Sequence, residues 1–598
     1  MCGIAGVMTL DGAPPRGADL EALTRALRHR GPDGDGRHVS GGVGLIQTRL
    51  AIIDLKTGDQ PLYAKPDNGG DGNRCALVAN GEIYNYIELR HQLGLDLFAT
   101  ESDCEPPLYL YLRHGRDFTR YLRGMYAIAI HDPKRERLVL ARDPFGIKPL
   151  YYAETPNGFA FASEPQALLA AGLVNPSLRR EALYALLQLQ FTCGPESIFE
   201  GIERVLPGET ITIEKGRIID RWRLPALPEG APKEIGIDAA LNRLDETLNH
   251  SVGLHQRSDV PYGMFLSGGV DSSVVLAMMN RLNVERVHAF TVGFPGQSVH
   301  DERHHARVVA RAAGAKHTEV EFTGADFWNL LPRAAAAMDD PAADYAILPT
   351  FKLAQAAQEA GLKVILTGEG GDELFAGYGR YRRAGRWRVF GGRRMRHRGI
   401  LEGLGVLRDE AASAGWRDGI VNAEKEAAGS GRTPLQIAQA TDCADWLAHD
   451  LLTKLDRCLM AFGVEGRVPF LDREMADYAF LLPDHLKVKH RFGKWVLRKW
   501  LETGLPDAKP FARKRGFTVP VGAWIAEGAA RIAPLVARQQ GIEEICNPAA
   551  VETLFKNAAS GTGGRAGKAA WVLLFYALWH QAHVVGRKSA GDAFEALS

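Results

Sequence analysis

The chain has no pair of cysteines spaced as CxxC. Its seven cysteines (Cys2, Cys75, Cys104, Cys193, Cys443, Cys458 and Cys546) are scattered and odd in number, which argues against a disulfide framework or a structural zinc site and favours a reducing cytosol. An excess of one charge is missing too. Lys+Arg 72 against Asp+Glu 71 leaves a formal net charge of +1, so no global field draws in nucleic acid or an anionic membrane, and neither is expected as a partner. The most apolar stretch, Ala569 to Trp579, lies between Lys568 and His580. It is too short to span a bilayer and reads as a buried C-terminal helix. The first residues show no charged segment ahead of a long apolar run, so no secretory leader is expected and the assigned location is cytoplasmic.

What is present is ordinary in bulk and specific in detail. Apolar residues at 46% and charged residues at 24% describe a soluble globular protein, and 598 residues imply two to four domains. As far as Arg223, short β-runs such as Gly44 to Leu50, Cys75 to Ala79, Met125 to Ile130 and Leu138 to Leu140 alternate with Gly, Pro and Asp breaks. Stacked antiparallel sheets follow from that pattern. The Pro- and Gly-bearing stretch Pro225 to Pro232 marks a linker, placed at 224–234 between a first domain, 1–223, and a second, 235–598. In the second domain strands run into glycine loops and then helices: Tyr262 to Leu266 before Ser267-Gly268-Gly269, Val287 to Phe294, and Lys363 to Thr367 before another glycine loop. This order implies a parallel α/β sheet with ligands at the strand C-termini, and from about Ala440 the chain becomes mainly helical.

Cys2 is the first candidate nucleophile. Removal of Met1 would leave a thiol and a free α-amino group on one residue. The amine titrates at about 7.7–8.0 and the thiol at about 8.5, so the amine can take the thiol proton directly or through one water.

The segment Ser267-Gly268-Gly269-Val270-Asp271-Ser272-Ser273 stands between an apolar strand and a helix, where backbone N–H groups and the helix dipole make an anion site. The glycines admit phosphate oxygens, the serines add donors, and Asp271 can hold Mg²⁺. The lysine of GxxxxGK[ST] and the spacing of GxGxxG are both absent.

This loop resembles the pyrophosphate loop of the ATP pyrophosphatases. Within that group, Thr367 to Tyr378 (TGEGGDELFAGY), Lys454-Leu455-Asp456-Arg457 followed by Val464 to Asp472 (VEGRVPFLD), and Arg513-Lys514-Arg515-Gly516-Phe517 are similar to successive signatures of the glutamine-hydrolysing asparagine synthetases. The same family opens with a cysteine and carries class II glutamine amidotransferase motifs. Here those are matched by Arg30 to Asp33, Arg49 to Asp54, Asn80 to Asn85 and Ser102 to Glu105. Pro106-Pro107 departs from it, standing where the family continues an apolar helix.

The resemblance implies a fold: an N-terminal antiparallel αββα Ntn-hydrolase sandwich, then a parallel-sheet α/β ATP-pyrophosphatase domain with a helical C-terminal part. It implies that Asn80 and Gly81 hold the oxyanion at Cys2 and that Arg49, with Ile53 beside it, binds the glutamine α-carboxylate. Glu82 and Asp103 would receive its α-ammonium. ATP would lie among Leu266, Ser267, Gly268, Gly269, Asp271, Ser272, Ser273, Val292, Thr367 and Gly368, with Mg²⁺ on Asp271 and Asp372. Glu369 would orient or deprotonate ammonia, Lys514 would balance phosphate charge, and Lys454 would be a catalytic cation. Glutamine, aspartate and ATP are then the substrates, and asparagine, glutamate, AMP and pyrophosphate the products, with ammonia passing inside the protein. Two rivals stand beside this reading: a synthetase of the same architecture acting on another carboxylate in polysaccharide or natural-product synthesis, and a non-catalytic regulatory homologue. A homo-oligomer stays open.

Two further patterns are discounted. His300, His304 and His305 near Asp301-Glu302 break the order of an HExxH zinc helix. The arginines between Arg380 and Arg398, interleaved with Tyr381, Trp387 and Phe390, read as an exposed helical insertion rather than an RNA site.

Overall fold

The computed structural model describes residues 2–65, 74–296, 302–384, 395–428, 431–512, 518–560, 564–587 and 591–598. Among the described residues twelve strands precede residue 224: β1 (Gly3–Thr9), β2 (Gly34–Ser40), β3 (Val43–Arg49), β4 (Leu62–Tyr63), β5 (Ala76–Ile83), β6 (Gly124–Asp132), β7 (Arg137–Arg142), β8 (Tyr151–Thr155), β9 (Gly158–Ala162), β10 (Glu203–Arg204), β11 (Glu209–Glu214) and β12 (Arg217–Arg223). They form two antiparallel sheets, ordered β10-β8-β9-β1-β3-β2 and β12-β11-β7-β6-β5-β4.

Alternation along the strands explains the layering. Ile4 and Met8 of β1 meet Ala127 and Ala129 of β6 and Leu138 and Leu140 of β7 between the sheets. The intervening Ala5 and Val7 face Leu20, Leu23 and Leu27 of the helix Gly17–Leu27. On the other outer side Ile128, Ile130 and Val139 face Leu89 and Leu108, on the helices Tyr86–Leu93 and Pro106–His114. Both faces of the central strands of each sheet are therefore buried, giving the expected αββα sandwich. The second helix begins at Pro106 with a proline in its first turn, where the missing N–H has no intrahelical partner to lose. Pro106-Pro107 thus starts this helix rather than interrupting it.

No strand or helix is present from Leu224 to Gly236. Beyond the helix Ile237–His255, a parallel sheet holds β13 (Tyr262–Phe265), β14 (His288–Gly293), β15 (Lys316–Glu321), β16 (Val364–Leu366) and β17 (Glu465–Arg467), in the order β15-β14-β13-β16-β17. The edge strand β17 lies inside a stretch that reads as helical. It has only three residues, two of them charged and buried, so no apolar run announces it. The C-terminal helix Arg565–His583 is buried as expected, with Trp571 and Trp579 in the core. No helix among the described residues is long and apolar enough to cross a membrane.

The arginine-rich segment is described only at its two ends. Of residues 380–398 the structure describes 380–384 and 395–398, where Arg382, Arg383, His397 and Arg398 are exposed while Arg380, Tyr381, Met395 and Arg396 pack inward. Tyr381 is buried, Arg380 pairs with Asp442 at 2.7 Å and lies 4.1 Å over the Trp446 ring, and Arg396 stacks on the same ring at 4.7 Å. Aromatic faces and a buried carboxylate absorb Arg380 and Arg396, so the described ends of the segment are anchored while Arg382, Arg383 and Arg398 face outward.

Candidate active sites

Cys2 immediately precedes β1 and is buried. Its N–H donates to Asn80 Oδ1 at 3.0 Å, while Asn80 Nδ2 is a buried donor without a hydrogen-bond partner among the described residues. An orphaned donor at this point fits a group that appears only when an oxyanion forms. Gly81 is fixed by close approach, since a Cβ there would stand 2.1 Å from the Met125 carbonyl oxygen on β6. Burial pushes the Cys2 thiol up from its ordinary value, against the nearby terminal amine, the Leu50 backbone and the Gln47 side chain, which lower it. Gln47 was not among the expected residues. Its alternation on β3 looks purely structural, yet its Nε2 is buried without a hydrogen-bond partner among the described residues.

Around this thiol, Arg49 lies within 2.5 Å of Asp59, whose side chain is 82% exposed. The expected carboxylate-binding arginine thus already holds a carboxylate of its own loop. Ile53 is buried nearby. Asp103 Oδ2 accepts from the Ile83 N–H at 2.7 Å, and burial lifts its pKa to about 6. Glu82 is raised as well, by burial and then by Glu465 and Asp103, against Arg467 at 3.2 Å and the terminal amine, which lower it.

The second site is a cavity of about 730 Å³ at the C-terminal ends of β13, β14 and β16, where open parallel sheets bind ligands. Leu266, Val292, Thr367 and Gly368 line one part, and Ser267, Gly268, Gly269, Asp271 and Ser272 another. Ser273 does not reach the cavity. It is fully buried one turn into the helix Val270–Leu282, its N–H donating to the Gly269 carbonyl. Gly368 lets the two loops meet, because a Cβ there would lie 2.9 Å from that of Asp271.

Asp271 and Asp372 converge on one ammonium, Lys494 Nζ, which contacts Asp271 and lies 2.6 Å from Asp372. Burial opposes the lysine's charge, but the two carboxylates raise its pKa overall. Hard carboxylate oxygens already gathered around a cation, beside a phosphate-sized loop, are a donor set that suits Mg²⁺. Lys494 itself was missed by sequence reasoning. No pattern in the sequence reveals it, because the left-handed backbone of Lys494 after Gly493 (φ 57) is visible only in the fold.

Glu369 and Lys454 also line the cavity. Burial raises the Glu369 pKa, with Lys454 lowering it and Asp344, Asp372 and Asp271 raising it further. Lys454 pairs with Asp344 at 2.9 Å, whereas Arg457, one turn on along the helix Leu452–Met460, pairs with Asp339 at 2.6 Å away from the cavity. Lys514 lies outside the described residues, as do His300 and Asp301. Among the described residues no group of three or more His, Cys, Asp or Glu could hold a metal ion.

The comparisons with known proteins cover both sites. The model of the asparagine synthase family matches residues 243–581, and that of the glutamine amidotransferase domain matches residues 1–222. The chain belongs to the asparagine synthase family. It is 34% identical to a putative glutamine-hydrolyzing asparagine synthetase of Mycobacterium tuberculosis (strain H37Rv), over 97% of each chain. It is 31% identical to the glutamine-hydrolyzing asparagine synthetase 1 of Bacillus subtilis, over 98% of each. With asparagine synthetase B of Escherichia coli K12 it shares 29% identity over 88% of this chain and 83% of that one. As a member of the asparagine synthase family with a glutamine amidotransferase domain, the chain is a glutamine-hydrolysing ligase, and the family uses ATP.

Proposed function

We propose that the chain is a glutamine-dependent asparagine synthetase, with a glutaminase domain at 1–223 and an ATP-dependent amide-forming domain at 235–598. The observation that carries this reading is the cavity in which the glycine loop 267–269, the Asp271–Lys494–Asp372 cluster, Glu369 and Lys454 converge.

In the first site the Cys2 thiol gives its proton to the α-amino group freed by Met1 removal and attacks the glutamine side-chain carbonyl. Asn80 Nδ2 and the Gly81 N–H stabilise the oxyanion, ammonia leaves, and water releases glutamate from the thioester. Arg49 exchanges Asp59 for the substrate α-carboxylate, while Asp103 and Glu82 attract the α-ammonium.

In the second site the aspartate β-carboxylate attacks the ATP α-phosphorus and displaces pyrophosphate, which the loop 267–272 and Lys494 hold. Asp271 and Asp372 would hold Mg²⁺, which supplies charge neutralisation on the phosphates. Ammonia then attacks the acyl-adenylate carbon and AMP departs. Glu369, made more basic by burial, takes the proton that the attacking nitrogen loses, and Lys454 offsets negative charge nearby.

Pyrophosphate release measured with ATP, glutamine and a panel of carboxylates tests the reading. Aspartate should be preferred and AMP should appear. ADP and phosphate as products would overturn it, and preference for another carboxylate would move the chain to a different acceptor.

A further inference from the structure

Arg467 touches both sites. It is wholly buried on β17, and its carbonyl oxygen accepts from the Thr367 N–H at 2.9 Å, where the nucleotide loop leaves the sheet. The register pairs Arg467 with Leu366, the residue just before that loop. Its side chain points the other way, to the amidotransferase half, where Nη2 lies 3.2 Å from Glu82 Oε2.

We propose that Arg467 is a positioning residue that couples glutamine occupancy to the nucleotide loop, holding Glu82 with its guanidinium and Thr367 with its main chain. The proposal rests on the reading of the Cys2 site as glutaminase.

The guanidinium is anchored on three sides and loose on the fourth. Nε lies 2.6 Å from Glu465, and Nη1 donates to the carbonyl oxygens of His255 at 2.9 Å and Arg257 at 2.6 Å. These bonds tie it to the end of the helix Ile237–His255. By contrast neither Nη2 nor Glu82 Oε2 has a hydrogen-bond partner among the described residues, so their attraction is ionic and unaligned. Glu465 already offsets the charge of Arg467, which leaves Glu82 with a shared and partial partner. An ammonium arriving beside Glu82 supplies a further cation and weakens the hold of that carboxylate on Arg467. The change is felt at Thr367 because the same residue fixes that amide. Linkage makes the effect reciprocal, so a filled nucleotide cavity must alter glutamine affinity by the same factor.

A merely structural arginine and a coupling arginine differ in what they move. Loss of a structural role lowers both activities and stability together. Loss of coupling leaves each site competent alone and uncouples them. In the full chain, glutamine affinity is measured with and without ATP, Mg²⁺ and aspartate, in the Cys2→Ala background that binds without hydrolysis. The unaltered Arg467 should give a coupling factor of roughly fivefold or more. Arg467→Lys keeps the charge but loses the fork, and should bring the factor below about twofold while ammonia-dependent synthesis stays near that of the parent. An equal factor in both proteins overturns the proposal. Should Arg467→Lys fail to fold, hydrogen exchange on the Cys2→Ala protein decides instead. Saturating glutamine should change the exchange rate of the peptide containing Thr367, and an unchanged rate there overturns the coupling. A wild-type protein without glutaminase activity would remove the underlying reading, an outcome distinct from either.

Discussion

Arg30 and Asp456 form a bidentate ion pair, at 2.7 and 3.0 Å, across the boundary between the two halves of the chain. Arg30 is wholly buried, and its Nε also donates to the Cys2 carbonyl at 3.1 Å, so the backbone of the nucleophile is held by a residue bound to the other half. Asp456 sits on the helix that places Lys454 at the nucleotide cavity. The two sites thus share a rigid strut, completed by Glu164 on Arg30 at 2.7 Å and Arg457 on Asp456 at 2.8 Å.

Removing one partner of a buried pair leaves the other charge uncompensated, which costs about 3–5 kcal/mol. Asp456→Ala should therefore lower the unfolding midpoint sharply and reduce both activities. Burial works to raise the Asp456 pKa, but Arg30 and Arg457 hold it below the ordinary value. The contribution is then present above the unfolded pKa of about 3.9 and is lost as pH falls through the depressed folded value. Denaturation scans against pH check this, and a midpoint equal to wild type would show the pair to be energetically idle.

Cys2→Ala should abolish glutamine hydrolysis and glutamine-dependent synthesis, yet form the amide from added ammonia. The bypass should strengthen with rising pH, as more ammonium is deprotonated. A residue retained ahead of Cys2 should mimic the loss in part, because it removes the free amine while leaving the thiol. Assays of glutamate and of amide product separate the two activities, and a Cys2→Ala protein that used glutamine at the normal rate would end the nucleophile assignment.

Asp103 predicts an acid limb. Its pKa is lifted to about 6 by burial, so below that value it binds a proton and no longer attracts an ammonium. The kcat/KM for glutamine should fall about tenfold per unit below pH 6, mainly through KM, and Asp103→Asn should lower the plateau and flatten that limb. A profile unchanged in Asp103→Asn would assign the limb to another group, with Glu82 the next candidate.

The parts of this molecule that were legible in the sequence are those written in short-range patterns. The alternation of β3, β5, β6 and β7 gave stacked antiparallel sheets, which the family resemblance made a sandwich, and strand, glycine loop and helix in succession gave the parallel sheet and its ligand edge. Leu266, Ser267, Asp271, Val292, Thr367, Gly368, Glu369 and Lys454 all reach the cavity. What stayed hidden depends on distance in the chain. Lys494 meets Asp271 across 223 residues, Arg30 meets Asp456 across 426, and Arg467 meets Glu82 on another sheet. Each is a charged residue that sequence alone places at the surface, and only the fold shows that it is buried and paired. Ser273 marks the opposite limit, since one turn of helix carries it out of the loop's reach.

Lys494 should act at the phosphates. Charge-assisted hydrogen bonds are worth about 1.5–3 kcal/mol, so Lys494→Met should lower kcat/KM for ATP by about 10- to 100-fold. Without the ammonium, Asp271 and Asp372 face each other with less compensation, and a higher Mg²⁺ concentration should be needed for half-maximal activity. Titration of ATP and of Mg²⁺ tests this, with glutamine hydrolysis alone as the control that should stay near wild type. Equal ATP dependence in both proteins would confine Lys494 to a structural role.

Asp271→Asn asks whether the two sites are chemically separate. Asp271 lies at the first turn of the helix Val270–Leu282, beside the loop expected to hold pyrophosphate, and the Cys2 site is built from other strands. Replacing the carboxylate by an amide removes a hard anionic ligand and half of the pair that holds Lys494. Synthesis from either glutamine or ammonia should therefore fall by at least about 100-fold, with AMP and pyrophosphate lost together. Glutamine hydrolysis without ATP should stay within about twofold of wild type, because no contact of Cys2, Asn80 or Arg49 among the described residues runs to Asp271. The measurement is glutamate release alongside pyrophosphate release on one preparation. Equal loss of both in a folded protein would mean that the glutaminase needs an intact nucleotide site, and that the division at 224–234 is not a division of chemistry.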